Sequence, residues 1–206
     1  MKEKSIPFWE KSYQRPGKLD TFGGGEPGED VIFAVSRVKE KGKALDIGCG
    51  EGRNAIYLAK MGFDTTAFDI SVSGIEKLKL VSKEQNLKIN SKVCDMRNFE
   101  FKEIYSLIVC QGCLHLIYKN EWKRVVNMMK ASTEIGGYNV VGIFTDEVPE
   151  PEDQRGLMVG LANDGDLFEA YSDWEIIEKK KYQFEHEHPD GPKHKHSGNR
   201  LIARRK

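Results

Sequence analysis

The chain has 206 residues, of which 39% are hydrophobic and 31% are charged, a composition typical of one ordinary globular domain. Its 32 Lys and Arg residues balance its 32 Asp and Glu residues, whereas a general nucleic-acid binder carries a basic excess. No apolar run approaches the roughly 18 residues that a membrane span needs. The four cysteines and the polar start of the sequence predict a cytoplasmic protein with reduced thiols. We therefore expect neither nucleic acid nor a membrane as a partner.

The first forty residues are irregular. Phe8, Trp9 and Tyr13 lie in a short stretch with helical spacing, and Pro16-Gly17 and the glycines before residue 29 interrupt regular structure. Residues 30–39 again have helical spacing. Aromatic and glycine residues together are typical of a mobile segment over a site. We therefore expect residues 1–40 to form an N-terminal arm or lid.

From Lys43 onward, predicted strands and helices alternate. The strands cover residues 44–47, 65–68, 91–94, 106–110 and 138–144, and the helices cover residues 53–61, 73–86 and 121–132. This alternation predicts an α/β fold with a mostly parallel sheet and helices on both faces. Two further strands, 174–184 and 200–204, have no helix between them. They predict a C-terminal antiparallel β-hairpin that completes a seven-stranded sheet.

A glycine loop follows the first predicted strand and opens the first core helix, which is the position of a nucleotide-binding loop. A dinucleotide loop reads G-x-G-x-x-G, but here Gly48 and Gly50 are followed by Gly52, one residue early, and Arg53 takes the expected glycine position. Asp46 precedes the loop by two residues. Because its carboxylate would repel a phosphate and attract a cation, the loop predicts a ligand with positive charge.

Two more carboxylates follow this pattern. Asp69 ends the second predicted strand and Asp95 the third. The carboxyl ends of parallel strands meet at one edge of an open sheet, where ligands bind, and a carboxylate there can accept the hydroxyls of a ribose. Any one of these residues is explained as a helix cap or turn residue. The set, together with the glycine loop, predicts a nucleoside site.

These motifs resemble those of class I S-adenosylmethionine-dependent methyltransferases. The run Asp46-Ile47-Gly48-Cys49-Gly50-Glu51-Gly52 is similar to their first motif, and Asp69 and Asp95 are similar to the next two. The run from Gly50 to Ala59 resembles tellurite-resistance methyltransferases of the TehB type and their thiol or thiopurine relatives. The resemblance implies a Rossmann-like fold and one methyltransferase domain, 1–206, in which residues 41–206 form the cofactor-binding core.

The resemblance also implies the cofactor and the residues that hold it. The cofactor is S-adenosyl-L-methionine, and the product is S-adenosyl-L-homocysteine. Asp46 and the glycine loop hold the methionyl part, Asp69 the ribose, Asp95 with Met96 the adenine edge, and the backbone of Cys110 lies near the methionyl part. The full set of candidate cofactor-binding residues is Asp46, Gly48, Cys49, Gly50, Gly52, Arg53, Asn54, Asp69, Ile70, Asp95, Met96 and Cys110.

Four of the five histidines lie in eleven residues near the end of the chain, at His186, His188, His194 and His196. The strand before their turn should run parallel to the earlier strands, so the turn is expected at the ligand-binding edge. Imidazoles exchange protons near neutral pH and bind metals and oxyanions. We take these four as candidate catalytic residues and predict no metal site. A bound metal and a solvated turn with incidental histidines remain alternatives.

The register of this hairpin decides the geometry of the histidines, because residues two apart in a strand share a face. A five-residue loop places His188 opposite His194, with all four histidines on one face. A four-residue loop places His188 opposite Lys193, with the two pairs on opposite faces. The run Pro-Asp-Gly-Pro at residues 189–192 favours a turn, but it is compatible with both loop lengths.

Cys110 and Cys113 have the spacing of a redox or metal pair. Their place after a strand favours two packed thiols, and thiolates that hold a metalloid substrate remain an alternative. His115 is expected to pack at the end of the fourth strand, and Trp122, Met128 and Met129 in the core.

We therefore predict methyl transfer to a small soft nucleophile, either a thiol or a tellurium or selenium oxyanion. One alternative is a methyltransferase for another small metabolite, an amine, a carboxylate or a hydroxyl. Another is a non-catalytic protein that senses the cofactor or carries a metal on its histidines. The sequence decides neither the acceptor nor the oligomeric state, because acceptor choice depends on loops such as 146–166.

Overall fold

The computed structural model describes residues 8–15, 19, 21, 23–187 and 193–206. The predicted lid lies partly outside this range, and so does His188. The chain divides into two compact units, residues 1–100 and residues 101–206. The prediction of a single domain, and of its boundary near residue 41, stays a prediction.

The first unit contains the arm, the glycine loop and three parallel strands. Strand β1 pairs with β2, and β2 pairs with β3, in both cases in parallel. The elements of this unit are α1 (Phe8–Tyr13), α2 (Glu29–Arg37), β1 (Lys43–Ile47), α3 (Arg53–Lys60), β2 (Asp64–Asp69), α4 (Val72–Glu84) and β3 (Ile89–Val93).

Local chemistry explains where these elements begin and end. Helix α4 begins after Ser71, whose hydroxyl accepts a hydrogen bond from the backbone N–H of Gly74 at 2.9 Å and so caps the helix. Helix α3 ends shortly before Gly62, whose φ of 89° is a conformation that favours glycine. The two helices then pack their apolar faces against β2, with Ile56 and Leu78 fully or nearly fully buried in one cluster with Ala67.

The second unit contains one parallel strand pair and the terminal hairpin. Strand β4 pairs in parallel with β5, while β7 lies between β5 and β6 and is antiparallel to both. The elements are β4 (Tyr105–Gln111), α5 (Lys119–Ala131), β5 (Thr133–Thr145), α6 (Asp166–Ala170), β6 (Glu175–Glu187) and β7 (Lys193–Arg204).

The strand order of the seven-stranded sheet is β3-β2-β1-β4-β5-β7-β6. The predicted Rossmann-like sheet, mostly parallel with a C-terminal antiparallel hairpin, is confirmed. Because β7 is antiparallel to both neighbours, β6 runs parallel to β5, as predicted. Among the described residues, no helix is long and apolar enough to cross a membrane.

Three details of the predicted strands are wrong. Strand β3 covers residues 89–93, so Asp95 lies beyond it. Strand β5 begins at Thr133, where we predicted a start at residue 138, because an irregularity in its pairing with β4 accommodates Gly136-Gly137 within the strand. Both hairpin strands are also longer than predicted and reach the histidines.

The hairpin register matches neither alternative that the sequence offered. His186 pairs with His194 and Glu187 pairs with Lys193, so five residues, 188–192, separate the two paired strands in sequence. The connection thus has the length of the five-residue alternative, but the pairing is shifted by two residues, because His194 pairs with His186 and not with His188. Since the side-chain period of a strand is two residues, positions 186, 194 and 196 still share one face of the hairpin.

Candidate functional site

Asp46 lies near the carboxyl end of β1 with only 2% of its surface exposed. The backbone N–H of Ala55 donates to its carboxylate, but its Oδ2 has no hydrogen-bond partner among the residues that the structure describes. Burial raises the pKa of Asp46 to about 7, against the opposing charge of Arg53 and with a further increase from Asp69. A buried carboxylate with an unsatisfied oxygen is a ready site for a cation.

The glycine loop has the backbone that its sequence predicts. Gly48, Gly50 and Gly52 have φ values of 65°, 54° and 91°, which L-residues with a side chain rarely adopt. At Gly50, a Cβ atom would lie 2.5 Å from the Tyr13 hydroxyl. The loop therefore needs glycine both for its conformation and for the close approach of α1. Cys49, which lies between Gly48 and Gly50 in the loop, is buried, and this burial raises the pKa of its thiol.

Asp69 ends β2 and braces the glycine loop. Its Oδ2 accepts from the Gly50 N–H and its Oδ1 from the Ser71 N–H, both at 2.8 Å. Burial raises the pKa of Asp69 despite these hydrogen bonds. The adjacent Ile70 is 60% exposed, which leaves an apolar side chain beside a carboxylate at the strand end.

Asp95 follows β3 and begins a 3₁₀ turn at Met96–Asn98. Its carboxylate accepts from the Arg97 backbone N–H at 2.9 Å and from the Arg97 guanidinium Nε at 3.0 Å. These hydrogen bonds hold the pKa of Asp95 below its ordinary value. Asp95 is therefore an ionised side chain with an existing partner, while Met96 is half-buried beside it.

The described part of the arm contacts the glycine loop and the helices that follow it, and sequence reasoning missed these contacts. Glu10 accepts hydrogen bonds from the hydroxyls of Ser71 and Ser73, the latter at 2.6 Å. The Gly28 N–H donates to Asn54 Oδ1 at 2.9 Å, and Arg53 donates to the Glu26 carbonyl at 2.9 Å.

In the second unit, Cys110 near the end of β4 and Cys113 beyond it bring their sulfurs to 3.5 Å. Both side chains are buried, and neither is in a disulfide. The geometry is that of two packed thiols. Within the described ranges, no group of three metal-ligating side chains could hold a metal ion.

His194 and His196 lie at the start of β7, next to Ser197, which pairs with Thr145 at the carboxyl end of β5. His194 and His196 are 4% and 5% exposed. The His196 ring stacks on Phe144 with centroids 5.0 Å apart and contacts Phe184 at 5.4 Å. His194 Nδ1 lies 2.9 Å from Gln154 Nε2. These two candidate catalytic histidines are thus buried, which contradicts a solvated turn for them, whereas His188 is outside the described residues.

His115 joins this group through Phe144. Its imidazole stacks on the other ring at 4.1 Å with an interplanar angle of 13°, and its buried Nδ1 finds no hydrogen-bond partner in the described part of the chain. Burial, with a contribution from His196, lowers the pKa of His115 to about 3. His115 is therefore neutral at physiological pH and packs against β5. The sequence could not pair it with Phe144, which is 29 positions away.

The comparison with known proteins decides the family. The model of one family, described as "Tellurite resistance protein TehB", matches residues 24–204. The chain belongs to the TehB family. The match takes in the glycine loop, the carboxylates of Asp46, Asp69 and Asp95, and the terminal hairpin, and it confirms the resemblance that the first motifs indicated.

Individual relatives agree with this assignment. The "Probable S-adenosyl-L-methionine-dependent methyltransferase TehB" of Haemophilus influenzae is 31% identical over 151 residues, which is 72% of this chain and 51% of the relative. The crystal structure of TehB from Haemophilus influenzae matches with a TM-score of 0.76 and 28% identity over 87% of this chain and 62% of that one. This TehB family member thus spans about half the length of the curated relatives that it matches.

A more distant neighbour shows the fold alone. The N-methyltransferase NodS from Bradyrhizobium japonicum, crystallised with S-adenosyl-L-homocysteine, matches 98% of this chain and 89% of its own with a TM-score of 0.65, at 16% identity. The fold of this TehB family member is therefore shared with a methyltransferase of quite different sequence, and the fold alone does not decide the methyl acceptor.

Proposed function

We propose that this TehB family member transfers a methyl group from S-adenosylmethionine to a small soft nucleophile, a thiol or a tellurium or selenium oxyanion. The observation that carries the proposal is the Asp46 carboxylate, buried beside the glycine loop with an unpartnered oxygen. Such an oxygen suits the ammonium group of the methionyl part and does not suit a phosphate. The similarity to a probable S-adenosyl-L-methionine-dependent methyltransferase and to the tellurite-resistance family supports the same chemistry.

The residues of the first unit fit the other parts of this cofactor. The Asp69 carboxylate is held by two backbone N–H groups, which orients it to accept ribose hydroxyls. The exposed Ile70 offers an apolar surface for the adenine ring. Asp95 and Met96 are proposed to contact the adenine edge, while Arg53 and Asn54 support the loop through the arm. Cys110, in the second unit, is proposed to act through its backbone.

The cofactor supplies an electrophilic methyl carbon on a sulfonium, and transfer leaves the carbon–sulfur electron pair on the S-adenosylhomocysteine sulfur. The protein therefore has to orient the acceptor and exclude water, which is worth about 7–11 kcal/mol of the barrier in well-aligned systems. We assign His186, His188, His194 and His196 to acceptor binding or proton removal. A thiol must lose its proton to a base, whereas the lone pair of a tellurium or selenium oxyanion attacks without losing one.

The arm is proposed to close the cofactor site. Its described residues hydrogen-bond to the loop and to the start of α4 through Glu10 and Gly28, and the Tyr13 hydroxyl lies against Gly50. Deletion of residues 1–28 should lower both cofactor affinity and turnover, because this removes all three contacts. Unchanged affinity and turnover in the deletion variant would show that the arm is not a lid.

The test of the function is a methyl-transfer assay with S-adenosylmethionine labelled in the methyl group. The acceptor panel is a thiol, selenite, tellurite and a primary amine, and His→Asn variants at the four histidine positions are assayed beside the unchanged chain. We expect label in the thiol or oxyanion products and reduced transfer in at least one variant. Transfer to the amine alone would replace the proposed acceptor class. Cofactor binding without any product would indicate a non-catalytic protein.

A further inference from the structure

A hydrogen bond in the second unit joins the loop after β5, residues 146–166, to one of the buried histidines. Gln154 ends a 3₁₀ turn at Glu152–Gln154 and is 4% exposed. Its side-chain nitrogen Nε2 lies 2.9 Å from Nδ1 of His194, which is equally buried. The two residues are 40 positions apart. Local sequence pattern therefore does not predict this contact.

The chemistry of the two groups sets the direction of this hydrogen bond. The amide nitrogen of a glutamine side chain can only donate, so His194 Nδ1 must be the acceptor and carries no proton. In a neutral imidazole the proton then resides on the other nitrogen, Nε2. The partner of one ring nitrogen thereby determines what the other ring nitrogen can do.

The turn that carries Gln154 is firmly held. The Glu150 carboxylate accepts from three consecutive backbone N–H groups, those of Gly156, Leu157 and Met158, at 2.8 to 3.0 Å. The Leu157 N–H also donates to the Gln154 carbonyl at 2.9 Å. A charged acceptor with three donors makes strong hydrogen bonds. Gln154 is thus presented to His194 by an ordered turn.

The same loop is attached to β7 next to His194 and His196. The Val148 N–H donates to the Ser197 hydroxyl oxygen at 3.0 Å, and the Ser197 hydroxyl donates to the Thr145 carbonyl at 3.1 Å. Ser197 is 1% exposed. These contacts hold the loop that carries Gln154 against β7, the strand that carries His194.

We infer that Gln154 is a positioning residue that holds His194 as the Nε2–H tautomer, so that His194 donates a hydrogen bond to the methyl acceptor and does not remove its proton. The inference rests on the proposed function, which places the histidines at the acceptor. Of the two roles proposed for the histidines, acceptor binding and proton removal, the inference assigns acceptor binding to His194. Gln154 itself touches no substrate and acts through His194.

The first test reads the tautomer directly, by ¹⁵N NMR of the full chain with labelled histidine. The chain has five histidines, and His194→Gln assigns the signals of His194 by their loss. We expect an unprotonated Nδ1 and a protonated Nε2 in the unchanged chain. In Gln154→Glu the new carboxylate accepts from the ring, so Nδ1 becomes protonated. In Gln154→Met the two nitrogens should report a mixture of tautomers.

Arg155→Gln is the matched control, since Arg155 is adjacent to Gln154 but 76% exposed, and it should leave the His194 signals unchanged. A protonated Nδ1 in the unchanged chain would overturn the inference. So would a His194 tautomer that is the same in Gln154→Glu as in the unchanged chain. A merely structural role of Gln154 would alter stability without this change of protonation site.

The second test asks whether His194 donates to the acceptor. Selenite and a small thiol are titrated into the labelled chain, and at least one should shift the His194 Nε2 signal. In the transfer assay, Gln154→Glu should raise the acceptor KM about tenfold with little change in kcat, as for the loss of one ground-state contact. No Nε2 shift with either probe, or a lower kcat at unchanged KM, would contradict the donor role.

Titration with S-adenosylmethionine tests the proposed function separately, because Gln154 variants should bind this cofactor with the affinity of the unchanged chain.

Discussion

Asp46 shows how one buried atom defines the chemistry of a ligand. The carboxylate lies at the end of a buried strand, so its pKa rises from an ordinary value of 3.8 to about 7. At pH 6 most of the protein without ligand therefore carries a proton on Asp46. A cationic ligand favours the ionised carboxylate and lowers this pKa.

Cofactor binding should consequently release close to one proton at pH 6 and progressively fewer as the pH rises above 7. The measurement is isothermal titration of S-adenosylmethionine in two buffers with different ionisation enthalpies. Affinity should increase from pH 6 to pH 7.5 for the same reason. Asp46→Asn should bind without releasing this proton. Binding of the unchanged chain with no proton release at pH 6 would show that Asp46 is already ionised or does not meet the cation.

His115 makes a second prediction at the residue scale. Its pKa is lowered to about 3 by burial and by His196, whereas the unfolded chain binds a proton there below about pH 6.5. The unfolded state thus gains a proton that the folded state does not, and the free energy of unfolding falls as the pH decreases from about 6.5 toward 3. Between pH 7 and pH 5 this loss is about 2 kcal/mol.

His115→Phe removes the titrating group and keeps a ring to stack on Phe144. Urea unfolding at pH 7 and pH 5 should therefore show a smaller pH dependence in this variant, by about 2 kcal/mol. Its stability at pH 7 should not fall much, because the Nδ1 atom that is lost has no partner among the described residues. An identical pH dependence in the two proteins would contradict a neutral, buried His115.

At the scale of elements, a buried ion pair joins the glycine loop to helix α4. Glu51 in the loop accepts from the Lys77 ammonium, and the two side chains are 6% and 8% exposed. The other Glu51 oxygen accepts from the Thr21 N–H of the arm at 2.9 Å. One carboxylate therefore links the arm, the loop and α4.

Lys77→Met should lower the free energy of unfolding by about 3–5 kcal/mol, because it leaves a buried carboxylate without its cation. Urea unfolding measures this loss. The double variant Glu51→Gln with Lys77→Met should recover much of it, since the buried charge is then gone as well. Exposed Lys79 provides the control, and Lys79→Met should have little effect. Equal stability of Lys77→Met and the unchanged chain would mean that the pair is solvated.

At the scale of the whole molecule, the strand and helix pattern could be predicted because it depends on local periodicity. The glycine loop, Asp46 and Asp69 were found for a related reason, since each occupies a fixed offset from a strand end. The start of β5 was missed because Gly136-Gly137 reads as a break, although the paired strand β4 accommodates it. The hairpin register was missed because a five-residue connection can begin at either of two neighbouring positions, and the paired strands enclose residues 188–192 where we predicted 189–193.

Contacts between residues far apart in sequence were not predictable in this way. Glu10 reaches Ser71 and Ser73, and Gln154 reaches His194, across 40 to 63 positions. Nothing in the local pattern around Glu10 or Gln154 distinguishes them from solvated polar residues. The net charge of zero is a sum over all the charged side chains, whereas the proposed chemistry depends on a few buried residues such as Asp46 and His194.

The central claim is that Asp46 and the glycine loop hold S-adenosylmethionine, and equilibrium titration with this compound at pH 7.5 tests it most directly. The unchanged chain should bind one equivalent. Asp46→Asn should bind about ten- to a hundredfold more weakly, the loss expected for a hydrogen bond to a charged group. The exposed Asp64 supplies a matched control, and Asp64→Asn should bind like the unchanged chain. Equal affinity in Asp46→Asn and the unchanged chain, or no binding by the unchanged chain, would contradict the account.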